Sequence, residues 1–450
     1  LAIAEPAAAS SKQEVTFEAP RDLYFDPATR NRTFQEISDF GVRSLRVILT
    51  WRKVAPKATS RIRPSVDLSD PASYDWSLYQ GVLDEAKARG FKVLLTVSTP
   101  APTWATKGAR DDVTRPSTTR FREFVIAVSR QFGGNVTRYS FINEPNLPQF
   151  LKPQYVKGKV ASPAIYRGLY DAGLRGLKET GDTKPVLMGE TAPNGAPPRT
   201  VAPVTFLRGA LCLNSKYKRK KGCLRMRVDG WAHHAYARKT GPLASVPTRL
   251  VTIGTLSRLT SALNRAAKVR AVKKSLPVHV TEFGIQSYPD RTLGVSLTQQ
   301  NEYRAISEKI AYENGRVATF AQYLMTDDAA GKGKDKYGGF ESGLRTTGGK
   351  AKPAYDGFRL PVVAERRGSR VNLWGLVRPA AGRENVTVER RSGGGSWKKI
   401  FSTITDSRGK WTGRSMNVKR GSWRVIWVGA DGVTYRSPGV RAYTWPKRLR

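Results

Sequence analysis

Hydrophobic residues along this chain show two textures, and the change falls near residue 361. Before it, short apolar runs alternate with segments whose apolar positions recur every three or four residues, the pattern of buried parallel strands wrapped by amphipathic helices. The runs Val15–Phe17, Ser44–Thr50, Phe91–Val97, Tyr139–Ile142, Pro185–Gly189, Val228–His234, Leu276–Thr281 and Val317–Leu324 predict eight strands. Eight strands alternating with helices predict a closed (β/α)8 TIM barrel. The helices carry matching punctuation. Phe121, Phe124, Val125, Val128 and Phe132 share one face behind Pro116 and the cap candidates Ser117 and Thr118, with Gly133 at the stop. Tyr166, Leu169, Tyr170, Leu174 and Leu177 repeat the pattern between Pro163 and Gly181. These aromatics read as packing, because the outer helices must bury one face against the barrel.

Beyond Pro361 the runs shorten and become rich in β-branched and aromatic residues: Val371–Trp374, Val386–Glu389, Trp397–Phe401 and Trp423–Val428. Turn clusters at 392–395, 406–409 and 430–432 separate them. That spacing predicts an all-β sandwich. The expected organisation is a barrel over 1–361, with 1–12 as a leader, a linker at Leu360 to Ala364, and a sandwich over 362–450. Trp397, Trp411, Trp423 and Trp427 could stack on sugar rings or fill the sandwich core, and a spacer is the simpler reading of this domain. No internal repeat is visible.

Composition adds a partner rather than a fold. Of 450 residues, 77 are Lys or Arg and 36 are Asp or Glu, a net charge of +41. Such an excess favours a polyanionic neighbour through an attraction that salt weakens. No apolar run approaches the ~18 residues of a membrane span, so membrane insertion is not expected. The Ala-rich stretch Leu1–Ser10 fits the tail of a signal peptide or a flexible leader. Cys212 and Cys223 flank a Lys/Arg-rich loop and suit a disulfide in an exported protein. Its expected place is after the fifth strand, at or beside the rim of the mouth. Two Cys with His233, His234 and His279 make a poor zinc set. No nucleic-acid reading motif is present.

The chemistry concentrates at two strand ends, where an α/β barrel places its active residues. The fourth strand delivers Asn143, Glu144 and Pro145; the seventh delivers Glu282. Two facing carboxylates suit glycosidic bond cleavage, since one can protonate the leaving oxygen while the other meets the positive charge on the sugar. Asn143-Glu144-Pro145-Asn146 and Thr281-Glu282-Phe283-Gly284 resemble the acid/base and nucleophile motifs of the clan A retaining glycoside hydrolases, and the first is most similar to families 39 and 5.

That resemblance implies double displacement, with Glu144 as acid/base and Glu282 as nucleophile about 5 to 5.5 Å apart, and no metal or organic cofactor. It places Arg46 beneath the nucleophile, where a cation keeps a carboxylate ionised. Asn143 is expected on the sugar 2-hydroxyl, and His234-Ala235-Tyr236 resembles the clan's His-x-Tyr pattern, with the Tyr236 hydroxyl on Glu282. Strand alternation lets only one of His233 and His234 face the mouth. His234 is the better candidate, and His233 and His279 read as core. Trp51 and Trp104 follow strands two and three, where they stack on a pyranose or simply pack. Tyr323 stands where the clan usually has a Trp, so no substrate carries over from any one family. Repulsion from Glu282 is expected to raise the pKa of Glu144. The second domain resembles immunoglobulin-like or fibronectin type III-like modules of secreted enzymes. The expected protein is a secreted or cell-surface monomer that cuts a carbohydrate on or near an anionic cell-wall polymer, with no specific nucleic acid. The alternative is a barrel that binds wall glycan or an anionic polymer without cutting it.

Overall fold

The computed structural model describes residues 13–329, 339–380, 382–415 and 420–449, so the leader lies outside the described residues. Eight parallel strands close a barrel in chain order: β1 (Glu14–Glu18), β2 (Ser44–Thr50), β3 (Lys92–Ser98), β4 (Arg138–Phe141), β5 (Val186–Thr191), β6 (Gly230–His234), β7 (Val278–Glu282) and β8 (Val317–Tyr323). The apolar runs mark all eight. The seam closes where β1 pairs with β8, Glu14 opposite Thr319 through Glu18 opposite Tyr323.

The helix over Thr118–Phe132 is held by the face its sequence makes apolar. Helix Thr118–Phe132 is capped by Ser117, whose Oγ accepts from the Arg120 amide, and buries Phe121, Phe124, Val125, Val128 and Phe132. Trp51 belongs to this packing. Its indole is fully buried and stacks on the Phe124 ring at 5.1 Å, with Trp104 edge-on at 6.1 Å. Inside the barrel the layer nearer the strand starts is apolar, built on Leu94, Leu187 and Ala232. His279 lies deep in the protein with its Nδ1 3.1 Å from Thr319 Oγ1, as a core residue should. Nearer the strand ends the interior turns polar, with Arg46, Thr96, Ser140 and Thr281 all buried.

Cys212 and Cys223 are bonded to each other, but the loop is not at the mouth. It follows helix Pro203–Ala210, not strand β5, so it belongs to the connection that returns the chain to the start of β6. In a (β/α)8 barrel the mouth is built by the loops that follow strands, and this one follows a helix. It is pinned from the side: Tyr217 is buried beneath Arg265, whose guanidinium sits 4.0 Å from the ring centre.

The second domain has eight strands: β9 (Val362–Arg367), β10 (Arg370–Leu376), β11 (Asn385–Arg391), β12 (Lys398–Ile404), β13 (Lys410–Ser415), β14 (Ser422–Val428), β15 (Thr434–Arg436) and β16 (Val440–Thr444). Their order is β12-β11-β14-β16-β9-β10-β13, with β15 on β14. Strand β16 joins the two halves, running parallel to β9 and antiparallel to β14. Val362, Ala364, Val371 and Leu373 from one half meet Val386, Val388, Val425 and Trp427 from the other in one core, which makes the domain sandwich-like. The expected linker does not exist as one. Leu360 and Val362 to Ala364 are buried, and the chain passes directly into β9. Trp411, Trp423 and Trp427 are buried, and Trp397 lies under the guanidinium groups of Arg391 and Arg424 at 4.8 and 4.4 Å. The three buried rings offer no open face to a sugar, and Trp397 is half-buried. Among the described residues no helix is long and apolar enough to cross a membrane.

Helix Leu297–Tyr312 carries two buried acids that clamp this domain to the barrel. Glu302 accepts from the Arg441 amide at 2.8 Å and from the Tyr443 hydroxyl at 2.5 Å. Glu308 pairs with Arg304 at 2.9 Å on its own helix and with Arg378 of the second domain. Replacing Glu308 by Ala would leave two buried guanidinium groups without their anion. We expect Glu308→Ala to destabilise the protein by about 3–5 kcal/mol in denaturant titration, since one partner of a buried pair is then left charged and unpaired. A change below about 1 kcal/mol would show that the clamp carries no weight.

Candidate active site

Four barrel strands deliver a glutamate to the same end: Glu18 closes β1, Glu144 follows β4, Glu190 lies in β5 and Glu282 closes β7. The backbone is bent to bring two of them inward. Ile142, Glu144 and Glu190 have φ values of 59°, 40° and 47°, in a region that costs a non-glycine residue roughly 1–3 kcal/mol. Gly189, at φ 120°, has no room for a side chain, because a Cβ there would stand 2.4 Å from the Ala232 carbonyl oxygen. Strands β4 and β5 are paired only through Tyr139–Val186 and Ser140–Leu187. Past that point the Glu144 amide donates to the Glu190 carbonyl oxygen at 2.9 Å, which ties the two bent ends together.

Arg46 of β2 occupies the centre. Its Nη1 donates to Glu18 Oε2 at 2.6 Å and Glu282 Oε2 at 2.9 Å; Nη2 donates to Asn143 Oδ1 at 2.7 Å and Glu190 Oε2 at 3.2 Å; Nε donates to Thr96 Oγ1 at 3.1 Å. Glu190 is fully buried and densely served. It accepts from Ser140 Oγ and Thr281 Oγ1, each at 2.6 Å, besides Arg46. Its Oε2 also takes His234 Nε2 at 2.8 Å, while His234 Nδ1 stands 2.9 Å from Glu144 Oε1 and 3.5 Å from Glu282 Oε2. The Tyr236 hydroxyl donates to Glu282 Oε1 at 2.7 Å.

These contacts divide the ionisable groups. Burial raises the pKa of Glu144, outweighing the hydrogen bond and charge of His234; the Glu282 charge adds less than burial does, which revises the expectation that repulsion would dominate. Burial also pushes Glu18 up to about 8 against the pull of Arg46. For Glu282 burial is overcome by the charges of His234 and Arg46 and by the hydrogen bonds of Tyr236 and Arg46, so its carboxyl is held below the usual range. Glu190 is lowered further, with Arg46 and His234 outweighing burial. His234 rises to about 10: burial opposes its charge, but Glu282, Glu144 and Glu190 together win. At neutral pH two cations, Arg46 and His234, thus face two carboxylates, Glu190 and Glu282, while Glu18 holds its proton and burial shifts Glu144 toward its protonated form.

Glu144, His234 and Glu282 each offer a possible metal-ligand atom, all within 4.8 Å of one another. The electrostatics do not suit a metal. An imidazole held charged, with a carboxyl group on each nitrogen, has no lone pair to give.

Arg46, Asn143, Glu144, His234, Tyr236 and Glu282 thus meet in one cluster, and Tyr323 stands beside it. Burial and the nearby Glu18 and Glu282 charges hold the Tyr323 phenol well above its usual range. His233 turns away, its ring nitrogens 2.8 Å from Thr191 Oγ1 and 2.9 Å from the Val251 carbonyl oxygen. Trp51 and Trp104 do not line the cluster. Trp51 is fully buried, and Trp104, 9% exposed, donates its indole N–H to the Pro56 carbonyl oxygen at 3.1 Å. Cys212 and Cys223 lie elsewhere, on the helix-to-strand side. The sequence reading missed Glu18 and Glu190. Their signal was the same as that of Glu282, an acid following an apolar run at a strand end.

No family model matches the sequence, and no curated protein matches it either. Among solved structures, β-glucuronidase 2 of Bacteroides uniformis, covalently bound to cyclophellitol-6-carboxylate aziridine, is 10% identical with a TM-score of 0.50. That match covers 97% of this chain and 46% of that one, so this chain spans about half the length of the glucuronidase. A β-glucosidase from Exiguobacterium marinum is 14% identical over 75% of this chain and 87% of its own, with a TM-score of 0.49. An endo-1,4-β-xylanase of Penicillium canescens is 15% identical over 77% and 93%, with a TM-score of 0.48. At 10% identity the likeness to the glucuronidase is one of fold alone.

The three histidines of the chain make the cluster readable by NMR. Burial lowers His233 to about 4 and His279 to about 3, whereas His234 stays charged to about 10. We expect two imidazoles that remain neutral down to acid pH and one that loses its proton only in alkali. Glu190→Gln removes an anion from His234 Nε2, so the alkaline titration should move down while the other two stay put. A third histidine titrating near the ordinary 6.5 with Glu190 intact would contradict this geometry.

Proposed function

We propose that this protein is a retaining glycoside hydrolase, acting on a poly- or oligosaccharide through Glu144 and Glu282. The observation that carries the reading is a pair of facing carboxyl groups, with oxygens within 4.8 Å, pushed toward opposite protonation states. So short a gap suits direct attack at the anomeric carbon, whereas an inverting pair stands about 6.5–9.5 Å apart to admit a water.

In the first step protonated Glu144 gives its proton to the glycosidic oxygen while a Glu282 oxygen bonds to the anomeric carbon, breaking the carbon–oxygen bond to the leaving group. Glu144 Oε1 already accepts from His234, which leaves Oε2 to carry the proton. In the second step Glu144 takes a proton from water, the water oxygen attacks the anomeric carbon, and Glu282 departs as a carboxylate. One negative charge thus moves from Glu282 to Glu144 and back. His234 Nδ1 lies within reach of both, so the same imidazolium accompanies the charge without reorganisation. Glu190 is a positioning residue that keeps His234 charged and aimed. The Asn143 oxygen is occupied by Arg46, which leaves its NH2 to donate to a sugar hydroxyl. No metal or organic cofactor takes part. A binder that never cuts would have no use for opposed protonation states in facing carboxyls.

The disulfide and the +41 charge support a secreted or cell-surface protein working beside an anionic wall polymer. The second domain, expected to be immunoglobulin-like or fibronectin-like, acts as a spacer clamped to the barrel.

Variant kinetics on neutral glycosides test the assignment. Glu282→Gln should abolish turnover, because an amide cannot form the glycosyl ester. Glu144→Gln should slow alkyl glycosides by about 10²–10⁴-fold and activated dinitrophenyl glycosides far less, since these leave without a proton. Equal losses on both leaving groups, or a Glu282→Gln protein that retains substantial turnover, would sink the assignment.

A further inference from the structure

We infer that the mouth carries a second binding site, a cationic pocket on the loops after β3 and β4 that takes the carboxylates of an acidic glycan while part of the same chain lies at Glu144 and Glu282. The inference rests on the glycosidase reading and names its substrate class.

The pocket measures about 620 Å³, within the range of small-molecule sites. Lys107, Arg110, Arg115 and Lys152 surround it, all exposed. Among the described residues none of the four makes a salt bridge; Lys152 lies near enough to Asp111 to help hold its carboxyl down, but the hydrogen bonds of both local acids go to other groups. Asp111 accepts from the amides of Val113 and Thr114 and from Thr114 Oγ1, and Asp112 pairs with Arg52 at 2.5 Å. The segments 142–161, 192–202 and 235–256, which continue around the mouth, bring repeated Lys and Arg and no acid except Glu144. Charge of one sign around a cleft focuses the field on an anionic ligand.

The cations are set on a braced frame. The Lys107 amide donates to the Thr114 carbonyl oxygen at 3.0 Å, Arg115 to Lys152 at 2.9 Å, and Lys152 to Val113 at 2.9 Å. The two loops therefore form one sheet-like platform, which lowers the ordering cost of binding. Between the charges the lining is Gly108, Pro153 and Val156, with Val156 40% exposed. That mixture fits a sugar ring bearing a carboxylate, since C–H faces lie on the apolar part and the anion meets the rim. A phosphate polymer would leave the apolar part unused. The lining has no aromatic side chain on which a base could stack, which disfavours single-stranded nucleic acid. The loop that carries Lys152 also carries Glu144, and the Leu147 amide donates to the Glu144 carbonyl oxygen at 2.9 Å, so the pocket and the reacting centre share one loop.

The test uses the full chain carrying Glu282→Gln, so that nothing is cut, and compares labelled hexagalacturonate with neutral xylohexaose by anisotropy at low and moderate salt. Arg110→Ala combined with Lys152→Ala should weaken hexagalacturonate about 25-fold at low salt, about fivefold per cation, and less as salt rises. Xylohexaose binding should not change. Lys398→Ala with Lys399→Ala, on the exposed β12, controls for bulk charge. An equal loss in that control overturns the pocket. Inorganic polyphosphate or an oligothymidylate binding more tightly than hexagalacturonate, with the same dependence on Arg110 and Lys152, overturns the glycan assignment. If the native chain cleaves no glycoside, the hydrolase reading fails, while the binding comparison still decides the pocket.

Discussion

A guanidinium at the centre of a barrel is tolerable only when carboxylates come with it, and that requirement organises this molecule. Arg46 is fully buried, and water cannot pay for its charge, so its hydrogen bonds must come from the strand ends around it. Glu18, Glu190 and Glu282 from three strands, with Asn143 from a fourth, converge on its two terminal nitrogens. The bends at Ile142, Glu144 and Glu190 are the geometric price of that convergence. A barrel with an all-apolar interior would need none of them.

Four carboxyls cannot all be ionised beside two cations in so dry a space. The environment sorts them, and the sorting is the functional content of the site. For Glu190 and Glu282 the donors and cations outweigh burial and the charge is kept; for Glu18 and Glu144 burial outweighs them and the pKa rises. A carboxyl that holds a proton next to one that cannot is the pairing that acid-assisted displacement requires. His234 links the two states because it lies between the reacting pair on one side and is fixed by Glu190 on the other. The second domain plays no part in this balance. Its attachment through Glu302 and Glu308 bears instead on the rigidity of helix Leu297–Tyr312, which packs outside the barrel.

Much of this was legible in the sequence, for identifiable reasons. Strands β1 to β8 are buried over most of their length, so each leaves an apolar run, and eight such runs between amphipathic helices admit few folds. Arg46, Asn143, Glu144, His234, Tyr236 and Glu282 were visible because they lie in short strings that resemble motifs of the clan A retaining glycoside hydrolases. Glu190 was not, because the predicted run ended at Gly189; that glycine lets the next residue turn inward past the Ala232 carbonyl. Glu18 directly follows the run Val15–Phe17 but stands in no string that resembles a known motif, so nothing singled it out. Trp51 shows the opposite failure. Position after β2 suggested the mouth, but an indole between Phe124 and Trp104 gains more by packing than by waiting for a sugar. The Cys loop was placed by strand order alone, and helix Pro203–Ala210 carries it to the other side.

The central claim is that Glu282 attacks the anomeric carbon itself because no water fits between two carboxyls so close together. Real-time NMR of the product released first from a glycoside of known anomer tests this most directly. The account predicts that the first-formed sugar keeps the anomeric configuration of the substrate and only later mutarotates. A first product of inverted configuration would contradict it, since a single displacement by water would then be the route.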